Sequence, residues 1–424
     1  MPGGRRSVSI IVALLFLICV TAGAAKEITF LTVAYSGELI KYLQDEVVPE
    51  FKKMHNTDVT LLTANWNTRM ERIVVLTAGG RPPDVVVTGF YSPYEEGSLG
   101  LLEPLDRYLS QWRYTPRFSK GLWEAMSWQG RVYAVPQNLD FRGIGYNKQL
   151  FAESGFDPEK PPAGWDELTQ YAHRLTLVEG DKVAVRGFAV VGAGAAQTHQ
   201  LSWFMRQAGL PVVDIDRFKS NLLSSQAVEA LETLQTLYEA GQGAMQVMSG
   251  DIAQGRIAMR SLAPQTIRSM VASDPDFVHR LGLFAPRRSR DSTPVAHVFA
   301  NGLAIPSASK NKDLAWEWIT MLTSDDVIFE IQRIGWFFSG RLDMLHRMME
   351  VQPGIEMWYA MEPYLQRSVI PPPRDIAQTE LNELILKAYG REISPRAALE
   401  HAHALWSRLL GEWKAKIDES KQGE

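Results

Sequence analysis

Three short polar stretches, each following an apolar run, stand out early in the chain: Tyr35-Ser36-Gly37-Glu38, Asn65-Trp66 and Thr88-Gly89-Phe90-Tyr91. They mix hydroxyl, amide and carboxylate groups with aromatic rings. That set suits a guest carrying hydroxyls on its edge and C–H groups on its faces. A guest lacking the matching hydroxyls leaves buried polar partners unpaired, so such a set discriminates. Micromolar affinity needs about −8 kcal/mol in total. Several hydrogen bonds of roughly 0.5–1.5 kcal/mol each, with ring contact added, reach that without covalent chemistry. Trp66 has no apolar periodicity to satisfy, whereas Tyr35 and Tyr91 read equally well as loop surface. Asp84, just ahead of a strand, reads as structural.

Residues that would do covalent chemistry are not spaced for it. His401 and His403 lie two apart, where one helix face needs ligands three or four apart. No H-E-x-x-H and no P-loop occur. Gly97-Ser98-Leu99-Gly100 lacks the spacing of a nucleophile elbow. Gly192-Ala193-Gly194-Ala195-Ala196-Gln197 begins like a dinucleotide fingerprint but ends in Gln, and reads as a loop. Scattered acids leave a glycosidase pair open, since spacing does not show proximity. A carbohydrate-active enzyme is therefore the rival class. No cofactor or metal site is expected.

The elements positioning these residues alternate. Strands are expected at 28–33, 59–62 and 84–88, with helices between them. In the first helix Leu39, Leu43, Val47 and Phe51 recur every four residues, giving one apolar face, and Ser36 is its expected cap. Further strands are expected at 132–135, 143–146, 183–191 and 302–305, and helices at 165–175, 227–240 and 312–322. A mostly helical end runs from 379 to 417, interrupted around 390–395. Such alternation implies a largely parallel sheet faced by helices. In open sheets of this kind, ligands bind in loops beyond the strands' C-terminal ends. The three polar stretches fall there.

The first 25 residues read as a secretory signal peptide: Arg5 and Arg6, an apolar run from 8 to 20, then Ala22-Gly23-Ala24-Ala25. That run is shorter than the roughly 20 residues a membrane span needs. The expected product is periplasmic or extracellular, cleaved near Ala24 or Ala25. Cys19, the single cysteine, would be lost with the leader, so core burial rather than disulfides must stabilise the rest. With a net charge of −4, the chain has no basic excess for a nucleic-acid backbone.

Five blocks in order resemble the extracellular solute-binding protein family 1, the sugar-binding proteins of ABC importers. They are Ala78-Gly79-Gly80-Arg81-Pro82-Pro83-Asp84-Val85-Val86; Tyr133-Ala134-Val135-Pro136, with Gly145-Tyr146-Asn147-Lys148 and Gly164-Trp165-Asp166-Glu167-Leu168; Gln254-Gly255-Arg256-Ile257-Ala258-Met259; Asn301-Gly302-Leu303-Ala304-Ile305-Pro306; and Ile370-Pro371-Pro372-Pro373-Arg374. The chain departs from the family at Arg260-Ser261-Leu262-Ala263-Pro264, where a glycine-rich turn with tryptophan is frequent. Gln137-Asn138-Leu139-Asp140 is also individual.

The resemblance implies an α/β, two-lobed periplasmic-binding-protein fold of type II, with discontinuous lobes joined by a hinge. Lobe 1 would comprise 26–136 and 298–338, and lobe 2 would comprise 137–297 and 339–424. Crossings are expected near 135–140, 296–299 and 335–341. Hinge closure around a ligand follows from such an architecture. Asn138 and Asp140 would flank the first crossing, with Asp140 reading equally as a hinge ion-pair partner. Gly194 and Gln197 would wall the second lobe. Asn301, Gly302, Trp336 and Arg374 match positions where the family places cleft residues. The implied partners are a small carbohydrate or polyol and ABC permease subunits, with the protein a monomer. A charged solute, such as a sugar phosphate, glycerophosphate or polyamine, stays open. Aromatic, Asn and Asp candidates outnumber cationic ones, which favours a neutral guest.

Overall fold

The structure, a computed structural model, describes residues 26–89, 92–190, 196–243, 248, 250–264 and 266–422. The expected signal peptide, Tyr91 and Gly194 lie outside the described residues. The first strand, Lys26–Val33, pairs in parallel with Thr57–Ala64 over its full length and with Val85–Gly89 on its other side. A continuous helix connects the first two, running through Gly37–Tyr42, Leu43–Val47 and Val48–His55, with the middle stretch wound as a π-helix. Pro49 accounts for that winding: it has no N–H to give back, and its ring crowds the carbonyl one turn earlier. Leu39, Leu43, Val47 and Phe51 are all buried, as their spacing predicts. Phe51 meets Trp318 edge-on at 5.1 Å, and Trp318 meets Phe30 at 6.0 Å. Trp316, on the same helix, stacks on Tyr108 at 4.8 Å.

Asp84 is structural, as its place before a strand suggests. One carboxylate oxygen accepts from the Thr29 N–H at 2.9 Å. The other accepts from Ser309 Oγ at 2.6 Å and Asn311 Nδ2 at 3.2 Å. It thus ties the head of the third strand to the loop before helix Lys312–Leu322.

One difference from the sequence reading matters for the site. Separate strands were expected at 132–135 and 143–146, whereas Val135–Asn147 is a single strand of 13 residues. Its buried Gln137 and Asn138 break the apolar pattern, yet both accept hydrogen bonds from outside the strand. Gln332 Nε2 donates to the Gln137 carbonyl at 2.9 Å and to Asn138 Oδ1 at 3.2 Å. Up to Arg142 this strand pairs antiparallel with Ala296–Ala304, and from Gly143 onward with Ile257–Leu262 and Leu281–Phe284. Ile257–Leu262 in turn runs parallel to Lys182–Ala189.

The fold is therefore a two-lobed α/β arrangement in which one long strand serves both halves. Phe338–Ser339 pairs with Leu139 and Asn138 on the same strand. All three stretches expected to cross between the halves accordingly lie side by side. Arg341 secures the third: fully buried, it donates to the Thr323 carbonyl at 3.1 Å, pairs with Asp325 and Asp343, and lies over the Tyr114 ring. The C-terminal helices Arg374–Tyr389 and Pro395–Gln422 break around Gly390. Among the described residues, no helix is long and apolar enough to cross a membrane.

Candidate functional site

The loop after the first strand reaches the crossing segments directly. The Tyr35 hydroxyl donates to Gln137 Oε1, and the Tyr35 ring meets Phe30 edge-on at 6.3 Å. Burial pushes the pKa of this hydroxyl up, so it stays a donor. Ser36 is exposed and caps the following helix, its Oγ accepting from the Leu39 N–H at 3.2 Å. Glu38 is exposed in that helix's first turn, where the helix dipole favours a carboxylate.

After the second strand, Asn65 forms its own turn. Its Oδ1 accepts from the Asn67 and Thr68 N–H groups, both at 2.9 Å. Trp66 is half-buried and packs on the core. After the third strand, Thr88 is fully buried and pairs with Gly302, while Gly89 pairs with Asn301. A Cβ on Gly89 would lie 2.1 Å from Asn301 Oδ1, so glycine is what admits the Asn301 side chain. Among the described residues, Thr88 Oγ1 and Asn301 Oδ1 are buried with no hydrogen-bond partner. Buried polar atoms are normally satisfied, which makes two orphans on adjoining strands a feature to explain. Gly302 itself packs on backbone, since a Cβ there would be 2.7 Å from the Val135 carbonyl.

At the crossings, Asn138 is committed to Gln332, and Asp140 forms an ion pair with Arg142 at 2.6 Å. Burial raises the Asp140 pKa, with Arg142 pulling it back. Trp336 takes a left-handed backbone at the end of helix Asp325–Gly335 and lines a narrow space with Pro264 and Phe338. The Arg268 guanidinium lies 5.8 Å from its ring. Arg374 is tied at 2.9 Å to Glu95 and at 3.2 Å to Ser92 Oγ, so it joins the helix that follows the third strand. Gln197 is fully buried on helix Ala196–Gln207.

Beside the long strand lies a cavity of about 240 Å³ that sequence reasoning did not assemble. Its walls include Arg142 and His297 from the crossing strands, His199 and Gln200 from helix Ala196–Gln207, and Arg260 from Ile257–Leu262. Phe299 forms a ring cluster with His297 at 4.4 Å and His199 at 4.8 Å. Burial, with Arg142 adding, pushes the pKa of His199 down to about 3. His297 is also held well below the usual imidazole range by burial. Both rings are neutral at pH 7. Trp203 lines the same space, its Nε1 donating to the Val295 carbonyl at 2.7 Å.

Two clues in the sequence pointed here. Arg142 stands two residues past Asp140 on one strand, and Arg260 opens the stretch that departs from the family pattern. Larger depressions of about 470 and 640 Å³ exist, lined by Glu103 and Arg131 and by Lys160 and Arg290 respectively. Neither touches Val135–Asn147, Ala296–Ala304 or Phe338–Ser339. Among the described residues, no cluster of His, Cys, Asp and Glu could hold a metal ion.

Comparison with known proteins agrees with this geometry. Solved structures of similar shape include the sugar-binding protein MalE of Xanthomonas citri, at 18% identity and a TM-score of 0.78, covering 93% of this chain and 99% of that one. A solute-binding protein of an ABC transporter from Thermotoga lettingae TMO, bound with alpha-D-tagatose, matches at 22% identity and a TM-score of 0.72, covering 91% of this chain and 100% of that one. The diacetylchitobiose binding protein DasA of Streptomyces coelicolor is 22% identical over 290 residues, 66% of each chain. The model of the bacterial extracellular solute-binding protein family matches residues 36–328. With more than half the chain matched, this protein is a member of the bacterial extracellular solute-binding protein family.

Proposed function

We propose that this chain is the substrate-capturing component of an ABC importer. It closes two lobes on a small polyhydroxy solute (a sugar, oligosaccharide or polyol) and delivers it unchanged to a membrane permease. The lobes are 26–136 with 298–338, and 137–297 with 339–424. In this reading residues 1–25 direct export and are removed, and the protein acts as a monomer.

The observation carrying the proposal is the adjacency of the three crossing segments to polar and aromatic groups from both halves. Tyr35, Trp66 and Thr88 stand at strand ends of the first half, and Asn301 pairs with Gly89 on the adjoining strand. Gln200, Ser261 and Thr266 line the cavity on the second. A narrow hinge flanked by hydrogen-bonding groups favours closure on a guest. The relatives support the class of guest: similar structures hold alpha-D-tagatose, mannobiose or ribitol.

The test is calorimetric titration with a panel of neutral sugars and polyols, sugar acids, sugar phosphates and polyamines. One-to-one binding of a hydroxyl-rich member, recovered intact by mass spectrometry, is the expected result. Binding confined to polyamines overturns the assignment, and turnover products favour an enzyme.

A further inference from the structure

We propose that the solute carries an anionic group, a carboxylate or a phosphate, seated between Arg142 and Arg260 in the cavity beside the crossing strands. This rests on the cleft reading above and narrows it to acidic polyhydroxy compounds.

Among the described residues, two guanidinium groups and no carboxylate line the cavity, while its two imidazoles are neutral. Asp140 is committed to Arg142 at 2.6 Å. Arg260 is only 9% exposed, and among the described residues no carboxylate lies within ion-pair distance of it. Its two hydrogen bonds go to main-chain carbonyls, Nη1 to Met248 at 2.9 Å and Nε to Ser261 at 3.2 Å. Asp251, the acid nearest in influence, is paired with Arg256. The remaining terminal nitrogen of Arg260 forms no hydrogen bond among the described residues.

The two arginines also feel each other: the charge of Arg142 adds to burial in lowering the pKa of Arg260, to about 10. Arg260 still holds its proton at pH 7. Burying a guanidinium without a counter-charge is costly, more so beside a second one. An anion between them offsets both terms, and the planar guanidinium fork matches carboxylate and phosphate oxygens.

The surroundings supply the rest of a sugar acid's needs. Ser261, Thr266 and Gln200 offer hydroxyl and amide groups, and Phe299 adds apolar wall. A polyamine fits poorly, because among the described residues no carboxylate lines the cavity and the nearby Asp140 is paired with Arg142. Sequence counting favoured a neutral guest because neither arginine stood among its candidates.

The test is titration of the mature chain with matched twins: glucose, glucuronate and glucose 6-phosphate, then galactose and galacturonate. An acidic member is expected to bind at least about tenfold more tightly than its neutral twin, the scale of one charge-assisted hydrogen bond. Rising salt should shrink that gap. Arg260→Met, checked for an unchanged melting curve, is expected to erase the gap, and Arg260→Lys to restore part of it. The carboxylate and phosphate arms separate the two sources of charge. Equal or tighter binding by the neutral twins overturns the anionic seat while leaving the cleft reading intact. A gap that survives Arg260→Met overturns it too. Failure of every member of this panel and of the neutral panel overturns the cleft reading, and this inference with it.

Discussion

The Tyr35 hydroxyl donates to Oε1 of Gln137, joining the loop after the first strand to a crossing segment 102 residues further along. Gln137 is wholly buried, and its main-chain carbonyl also accepts from Gln332. Gln352 donates in turn to the Gln332 carbonyl at 2.9 Å. A chain of amides thus runs from the mouth of the site through the crossing strands. Among the described residues, Gln137 Nε2 has no partner of its own.

Tyr35→Phe tests that link. It leaves Gln137 Oε1 buried and unpaired, at a cost of about 1–3 kcal/mol. Flipping the amide brings no relief, because phenylalanine offers nothing to either end. Chemical denaturation should show the loss in midpoint without a change in slope. A curve superimposable on that of the parent protein would mean the contact does not contribute.

Gly89 and Asn301 should behave as one unit. Gly89→Ala places a Cβ 2.1 Å from Asn301 Oδ1 and 3.1 Å from the Ala300 carbonyl. The expected outcome is weaker solute binding with a modest loss of stability. Asn301→Ala removes the nearer obstacle, so adding it to Gly89→Ala should cost less than the two changes summed. Coupling of about 0.5–3 kcal/mol in a double-mutant cycle is the expected scale for residues in contact. Additive effects would show that the two positions do not meet.

Acid should reveal His199. Its pKa is about 3 in the folded chain, against about 6.5 when unfolded, because burial and Arg142 disfavour the cation. The folded state then binds fewer protons between those values. This contribution is intact above pH 6.5 and is lost as pH falls toward 3, by about 1.4 kcal/mol per pH unit. His199→Gln should therefore gain on the parent protein by about 2–3 kcal/mol between pH 7 and 4.5. A stability difference independent of pH would show that position 199 is solvated.

Much of the fold was legible because its signals are local. The four-residue apolar spacing of the first helix, the capping role of Ser36 and the strand-start role of Asp84 need only neighbouring residues. The long strand was harder to read, since buried Gln137 and Asn138 look like a loop until Gln332 is seen to donate to both. The site divided in the same way. Tyr35 follows from a general rule about strand ends, and Asn301 from the family resemblance. By contrast, the cavity joins Arg142, His199, Arg260 and His297, which no spacing rule connects. Asn65 follows from its polarity at a strand end, and its Oδ1 also shapes its own turn.

Closure of the two halves on a bound solute is the central claim, and small-angle scattering measures it directly. The mature chain should show a smaller radius of gyration when saturated with the tightest-binding compound of the panel than when free. The same envelope in both conditions, with binding confirmed by calorimetry on the same sample, would contradict it.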